Sequence, residues 1–189
     1  MSLREATVIK HKIAEQMLFN QRMLNSELSK DEYIIYLIQQ YFIFNIIEER
    51  NFDLLHKPTY CYRKNMVEKD LNELIAELFP FKYTFETVNH ALSLPATKEY
   101  VKYLNSINDN DMWAHIYLNY CALYYGGQII KTKVFGSGNM YNFSEQEDLI
   151  KYIRTIQKDN WAEEVNKGFD YIINIFDELQ KNVTTLINL

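Results

Sequence analysis

Five glycines and three prolines are spread over 189 residues, and that scarcity restricts the chain more than any other feature. Sandwiches and barrels need frequent turns, and turns are built largely from those two residues. A chain this poor in them is expected to form long helices joined by few loops. Its length suits one domain with a real core, and no internal repeat, low-complexity tract or boundary divides residues 1–189. The expectation is an all-α, single-domain bundle of about eight helices.

Apolar spacing places those helices. Ala6, Ile13, Ala14, Met17, Leu18 and Phe19 give residues 3–24 one apolar side. Ser29-Lys30-Asp31-Glu32 is a capping box, whose hydroxyl and carboxylate satisfy orphan amides at a helix start. Apolar residues lie almost all round the helix that follows to Glu49, so it is expected to be central. A looser stretch over 51–63 contains Pro58. Further helices are expected over 66–79 with Pro80 ending it, weakly over 81–92, and over 95–107. A long helix over 111–134 is interrupted by Gly126-Gly127, and residues 135–143, with Gly136 and Gly138, form the clearest loop. Ser144 to Glu147 makes a second capping box for a helix to about Lys158, and a last helix opens at Asn160.

A net charge of −5 and a pI near 5.4, with no long basic run, argue against a nucleic-acid partner. The chain shows neither a signal peptide nor an apolar stretch of roughly 18 residues, so a cytoplasmic protein without a membrane span is expected. Cys61 and Cys121 have no CxxC or zinc spacing and read as reduced thiols. Fifteen tyrosines and eleven phenylalanines suit an interior that also wraps a large flat ligand. A biased genome would give the same count.

Two features could carry chemistry. His11 is followed one turn on by Glu15 and shares a face with Thr7, Ala14 and Leu18. Small neighbours leave room beside the imidazole, and a carboxylate there can orient a metal-ligating ring; taken alone, the pair fits a surface histidine of purely structural role better. Two consecutive glycines inside a helix each cost about 1 kcal/mol relative to alanine, so Gly126-Gly127 implies a kink or a close approach to the backbone, with a plain helix end as the other reading. His115 reads as a core histidine bonded to a carbonyl, while His56 and His90 have no evident partner. Glu-x-x-His repeats, GxSxG and P-loop motifs are missing.

Arg4-Glu5-Ala6-Thr7 before His11 and Ala14-Glu15 resembles the start of haem oxygenases, where a Glu-Ala-Thr run precedes the proximal histidine. Ala114-His115-x-Tyr117-x-x-Tyr120 leading to Gly126-Gly127-Gln128 is similar to the family's distal helix. Pro95-Ala96 through Tyr100-Val101-Lys102 and the final Ile175-Phe176-Asp177-Glu178-Leu179 match further segments in order. The resemblance implies a haem oxygenase-like bundle with haem between the first helix and the kinked one. It makes His11 the iron ligand, Glu15 its orienting partner, Gly126 and Gly127 the distal wall, and Thr7 part of the pocket. Arg4, Lys151, Arg154 and Tyr117 become candidates for the propionates.

In the same family the distal helix reads Gly-Asp-x-Ser-Gly-Gly. Here it reads Ala122-Leu123-Tyr124-Tyr125-Gly126-Gly127, with Leu123 at the aspartate position and Tyr125 at the serine position. The resemblance implies cleavage of haem with O2 to biliverdin, carbon monoxide and ferrous iron, haem being both substrate and cofactor. Electrons would come from a flavoprotein reductase or a ferredoxin, docking near Arg4, Lys10, Lys12, Lys151 and Arg154, and the protein would be a monomer or weak homodimer. Because leucine cannot relay a proton, a non-catalytic haem carrier or sensor is the alternative. Haem-free relatives of the same fold, thiamin-degrading or metal-binding, and a plain interaction bundle stand behind it.

Overall fold

The computed structural model describes residues 1–50, 62–78, 92–143 and 147–186. The stretches 51–61, 79–91, 144–146 and 187–189 lie outside it. With them go the expectations about Pro58, Pro80, Cys61, His56, His90, the weak helix over 81–92 and the second capping box.

Every regular element among the described residues is helical, as the glycine and proline scarcity implies. α1 (Leu3–Gln16) opens on its own capping box: Glu5 N–H donates to the Ser2 hydroxyl, and the Glu5 carboxylate accepts from Ser2 N–H at 2.8 Å. The single helix expected over 3–24 is in fact two, because Met17 takes ψ 133° and ends α1. The break frees carbonyls, and polar side chains from the next helix take them up. Asn20 Nδ2 donates to Ala14 O at 3.4 Å and Gln21 Nε2 to Glu15 O at 2.6 Å. α2 (Leu18–Leu24) then leads to α3 (Lys30–Arg50). There the expected box forms, with Glu32 N–H donating to Ser29 Oγ at 3.2 Å and Ser29 N–H to the Glu32 carboxylate at 2.6 Å.

α3 is buried on nearly all sides and packs against α4 (Arg63–Leu78), α5 (Pro95–Ser106), α6 (Asp109–Cys121) and the last long helix, so it is central as expected. Pro95 sits in the first turn of α5, where its missing N–H is harmless. Asn108 caps α6 through Asp111 N–H at 3.0 Å. α6 runs into a π turn over Ala122–Gly126 and continues as α7 (Gly127–Lys131), so the long helix stops three residues short of the expected Val134. The loop over 132–143 follows, with Gly136 and Gly138 both at positive φ (74° and 61°), the conformation that favours glycine. Asp70 of α4 anchors its far end, accepting from the N–H groups of Asn139 and Met140 and from Asn139 Nδ2 at 2.7–2.8 Å. α8 (Glu147–Ile156), a 3₁₀ turn over Asp159–Trp161 and α9 (Ala162–Leu186) complete the chain.

Candidate functional site

α9 is the strut that positions the rest. It packs along α1, α2, α5, α6 and α3. Lys10 of α1 pairs with Asp170, and Asn166 Nδ2 donates to Ala6 O at 3.1 Å. Gly168 lets α9 approach α6 closely: a β-carbon there would lie 2.5 Å from Leu118 Cδ2 and 3.0 Å from His115 Nδ1.

The buried face of α1 carries Leu3, Thr7 and Ala14. Thr7 Oγ1 donates to Leu3 O at 2.9 Å, so its hydroxyl is committed to its own helix. His11 lies beside this face with its side chain 56% exposed, and Nδ1 is 3.5 Å from the Glu15 carboxylate. Its ring stands edge-on to Phe169 of α9, centroids 5.7 Å apart. Among the described residues nothing hydrogen-bonds to Nε2, so an oriented imidazole keeps one nitrogen available. Arg4, one turn before Val8 on the same helix, is exposed.

The two glycines of the interrupted helix have different roles. A β-carbon on Gly126 would meet nothing within 4 Å, whereas one on Gly127 would lie 2.5 Å from Tyr141 Cδ1. Gly126 therefore borders open space and Gly127 admits an aromatic ring behind it. The expected kink takes the form of the π turn, a one-residue widening common at functional sites. Leu123 is buried in the core, Tyr125 is 57% exposed, and Tyr124 stands edge-on to both Tyr125 and Phe143.

Tyr117 and Arg154 are brought together, Arg154 Nη1 donating to the Tyr117 hydroxyl at 3.3 Å. Cys121 lies close to both. Burial pushes its thiol up to about 11, so it is not a thiolate nucleophile at neutral pH. Lys151 points outward, its side chain 69% exposed, and pairs with Asp148 at 3.7 Å.

His115 is fully buried, as expected, but its partners are side chains and not a carbonyl. Nε2 is 3.1 Å from the Glu164 carboxylate and Nδ1 2.8 Å from the Tyr100 hydroxyl. A carboxylate only accepts, so Nε2 carries the proton and, in the neutral ring, Tyr100 donates to Nδ1. Asn119 Nδ2 in turn donates to the Tyr100 hydroxyl at 3.1 Å, and Tyr103 and Lys167 also donate to Glu164. The hydrogen bond from His115, with those from Tyr103 and Lys167, holds the Glu164 carboxyl down at about 2. A second buried carboxylate, Glu48, accepts from Tyr120 Oη at 2.7 Å and from Arg63 N–H at 2.5 Å, and burial pushes it up to about 7. Neither network was foreseen. Each joins residues far apart in the chain, and no local spacing marks such pairs.

Among the described residues no three His, Cys, Asp or Glu side chains cluster to hold a bare metal ion. No described helix is long and apolar enough to cross a membrane. A sequence profile of the family described as Heme oxygenase matches residues 1–162. A heme oxygenase of Porphyra purpurea is 28% identical, covering 99% of this chain and 89% of that protein. Among solved structures, heme oxygenase-1 of the cyanobacterium Synechocystis in complex with heme superposes with a TM-score of 0.78 at 22% identity, over 98% of this chain and 94% of that one. The heme oxygenase of Leptospira interrogans gives 0.75 at 24% identity, over 94% and 100%. With the family profile matched over residues 1–162 and the same helical fold, the chain belongs to the haem oxygenase family of oxidoreductases.

Proposed function

We propose that the protein binds haem between α1 and the Ala122–Gly126 turn and degrades it to biliverdin, carbon monoxide and ferrous iron. The observation that carries this reading is the His11 imidazole: exposed, steered by Glu15 and Phe169, with Nε2 unengaged among the described residues. Open space over Gly126 suits a flat macrocycle, since any side chain there would occupy it. Bound haem would supply the oxygen chemistry, with O2 and electrons from a flavoprotein reductase or ferredoxin.

The remaining work falls to the chain. Glu15 orients the His11 ring and favours its ligating nitrogen. Phe169 packs against the imidazole and limits its rotation. Arg154, paired with the Tyr117 hydroxyl, and the exposed Arg4 and Lys151 offer cations for propionates in a protein of net charge −5. Thr7, bonded to its own helix, contributes packing, not a hydrogen bond to ligand. The same reading takes residues 1–189 as one domain, cytoplasmic, and monomeric or weakly dimeric.

One observation favours a second reading, a haem carrier or sensor. The Leu123 side chain is buried and brings no donor to the distal turn, and Tyr125, two residues on, is largely exposed. A hemin titration followed by reductant in air separates the two. We expect a Soret band that saturates at one haem per chain, changes form in His11→Ala, and bleaches to a biliverdin spectrum on reduction. Saturation without bleaching supports the carrier, and a band indifferent to His11→Ala removes the histidine from its assigned place.

A further inference from the structure

Arg63 opens α4 and is fully buried. A charge in that position is strongly unfavourable unless acceptors surround it, and here the surroundings lead to the π turn along three routes. The first is a fork on the 139–143 segment. Arg63 Nη1 donates to Met140 O at 3.1 Å and to Asn142 O at 2.9 Å. The carbonyl between them, Tyr141 O, accepts from Gln128 Nε2 at 2.8 Å. The two bonds from Arg63 thus flank the residue whose ring stands where a Gly127 β-carbon would fall, directly after the turn.

The second route is stacking. The guanidinium carbon lies 4.4 Å from the centre of the Phe143 ring, and that ring meets Tyr124, inside the turn, edge-on at 5.5 Å. The third starts from the backbone. The N–H groups of Arg63 and Lys64 donate to the Glu48 carboxylate, which also accepts from the hydroxyl of Tyr120, two residues ahead of the turn. Residues before, within and after Ala122–Gly126 are therefore each reached from Arg63 through one intervening group. A π turn is rare in a helix, and irregular backbone persists where its surroundings over-determine it.

We propose that Arg63 is a positioning residue of the site, fixing the π turn from behind and with it the place of Gly126 and Gly127. The hold on the turn is independent of the haem reading; its bearing on ligand affinity rests on that reading.

The test begins with the haem-free protein, so its failure and a failure of the haem assignment are distinct. Arg63→Lys keeps the charge but can neither fork onto two carbonyls as a plane nor stack. Phe143→Leu removes the stacking route alone and stays apolar. Amide hydrogen exchange reports the opening of each segment separately. We expect Arg63→Lys to speed exchange over 122–128 by about tenfold and Phe143→Leu to speed it less, while α1 and α5 keep the parent's rates. Hemin affinity should fall in the same order. Exchange that quickens only over 139–143, or evenly through all helices, overturns the proposal, because Arg63 would then support the loop or the core alone. Faster exchange over 122–128 with hemin affinity unchanged upholds the hold on the turn and counts against the haem reading. Should Arg63→Lys not fold, Phe143→Leu decides between the same outcomes.

Discussion

At the scale of single residues, the two adjacent glycines separate stability from binding. A methyl on Gly127 would collide with the buried Tyr141 ring, so Gly127→Ala is expected to cost about 1–3 kcal/mol, the usual range for overpacking, read as a lower Tm. Gly126→Ala meets no atom and gains up to about 1 kcal/mol of helix propensity. It should therefore raise Tm while weakening hemin affinity, because the new methyl enters the space that the haem reading assigns to ligand. Opposite signs in stability and affinity from neighbouring substitutions would be hard to obtain from a generic helix defect. Equal losses in both assays from both variants would mean that the pair acts only as a structural unit.

At the scale of elements, helix starts were legible and interruptions were not. The Ser29–Glu32 box and Pro95 act through bonds within one turn, so a short window of sequence contains the whole cause. The break at Met17 depends on Asn20 and Gln21 reaching back for freed carbonyls, and the π turn depends on Tyr141 packing under Gly127. Those causes lie outside any periodicity. Of the candidate site, His11 with Glu15 and the glycine pair stood out by spacing and took their expected roles from the ordered resemblance, whereas the Glu164–His115–Tyr100 network joins three helices and left no trace in spacing. That network has a pH signature. The Glu164 carboxyl is lowered to about 2 from an ordinary 4.5, chiefly by its hydrogen bond from His115. A carboxyl depressed on folding stabilises the fold above its unfolded value, and that stabilisation disappears as pH falls from about 4.5 toward 2. Glu164→Gln should therefore lie well below the parent in Tm at pH 6, and the gap should narrow across the acid range. A gap independent of pH would assign Glu164 a packing role alone.

At the scale of the whole molecule, α9 couples the two halves of the site through adjacent residues. Phe169 touches His11 of α1, and Gly168 admits His115 and Leu118 of α6. Gly168→Ala would press on Leu118 and His115 of α6 but meets neither His11 nor Gly126 and Gly127. By pushing α9 from α6 it should lower Tm and also loosen hemin binding several-fold, measured by titration against Gly126→Ala as a comparison of distal and remote effects. Hemin affinity that survives the fall in Tm would show that the halves are set independently. The π turn has a further consequence in terms of chain length. It is one surplus residue in an otherwise α-helical path, so removing one position between Ala122 and Tyr125 would leave an uninterrupted helix. The wide turn absorbs the surplus residue, so Gly127 and the residues after it would keep nearly the same facing, and the local widening beside Gly126 would be what disappears. The break in this helix thus has the form of a one-residue insertion, and a shorter, more regular chain would lose the widening at Gly126 while keeping the helices on either side.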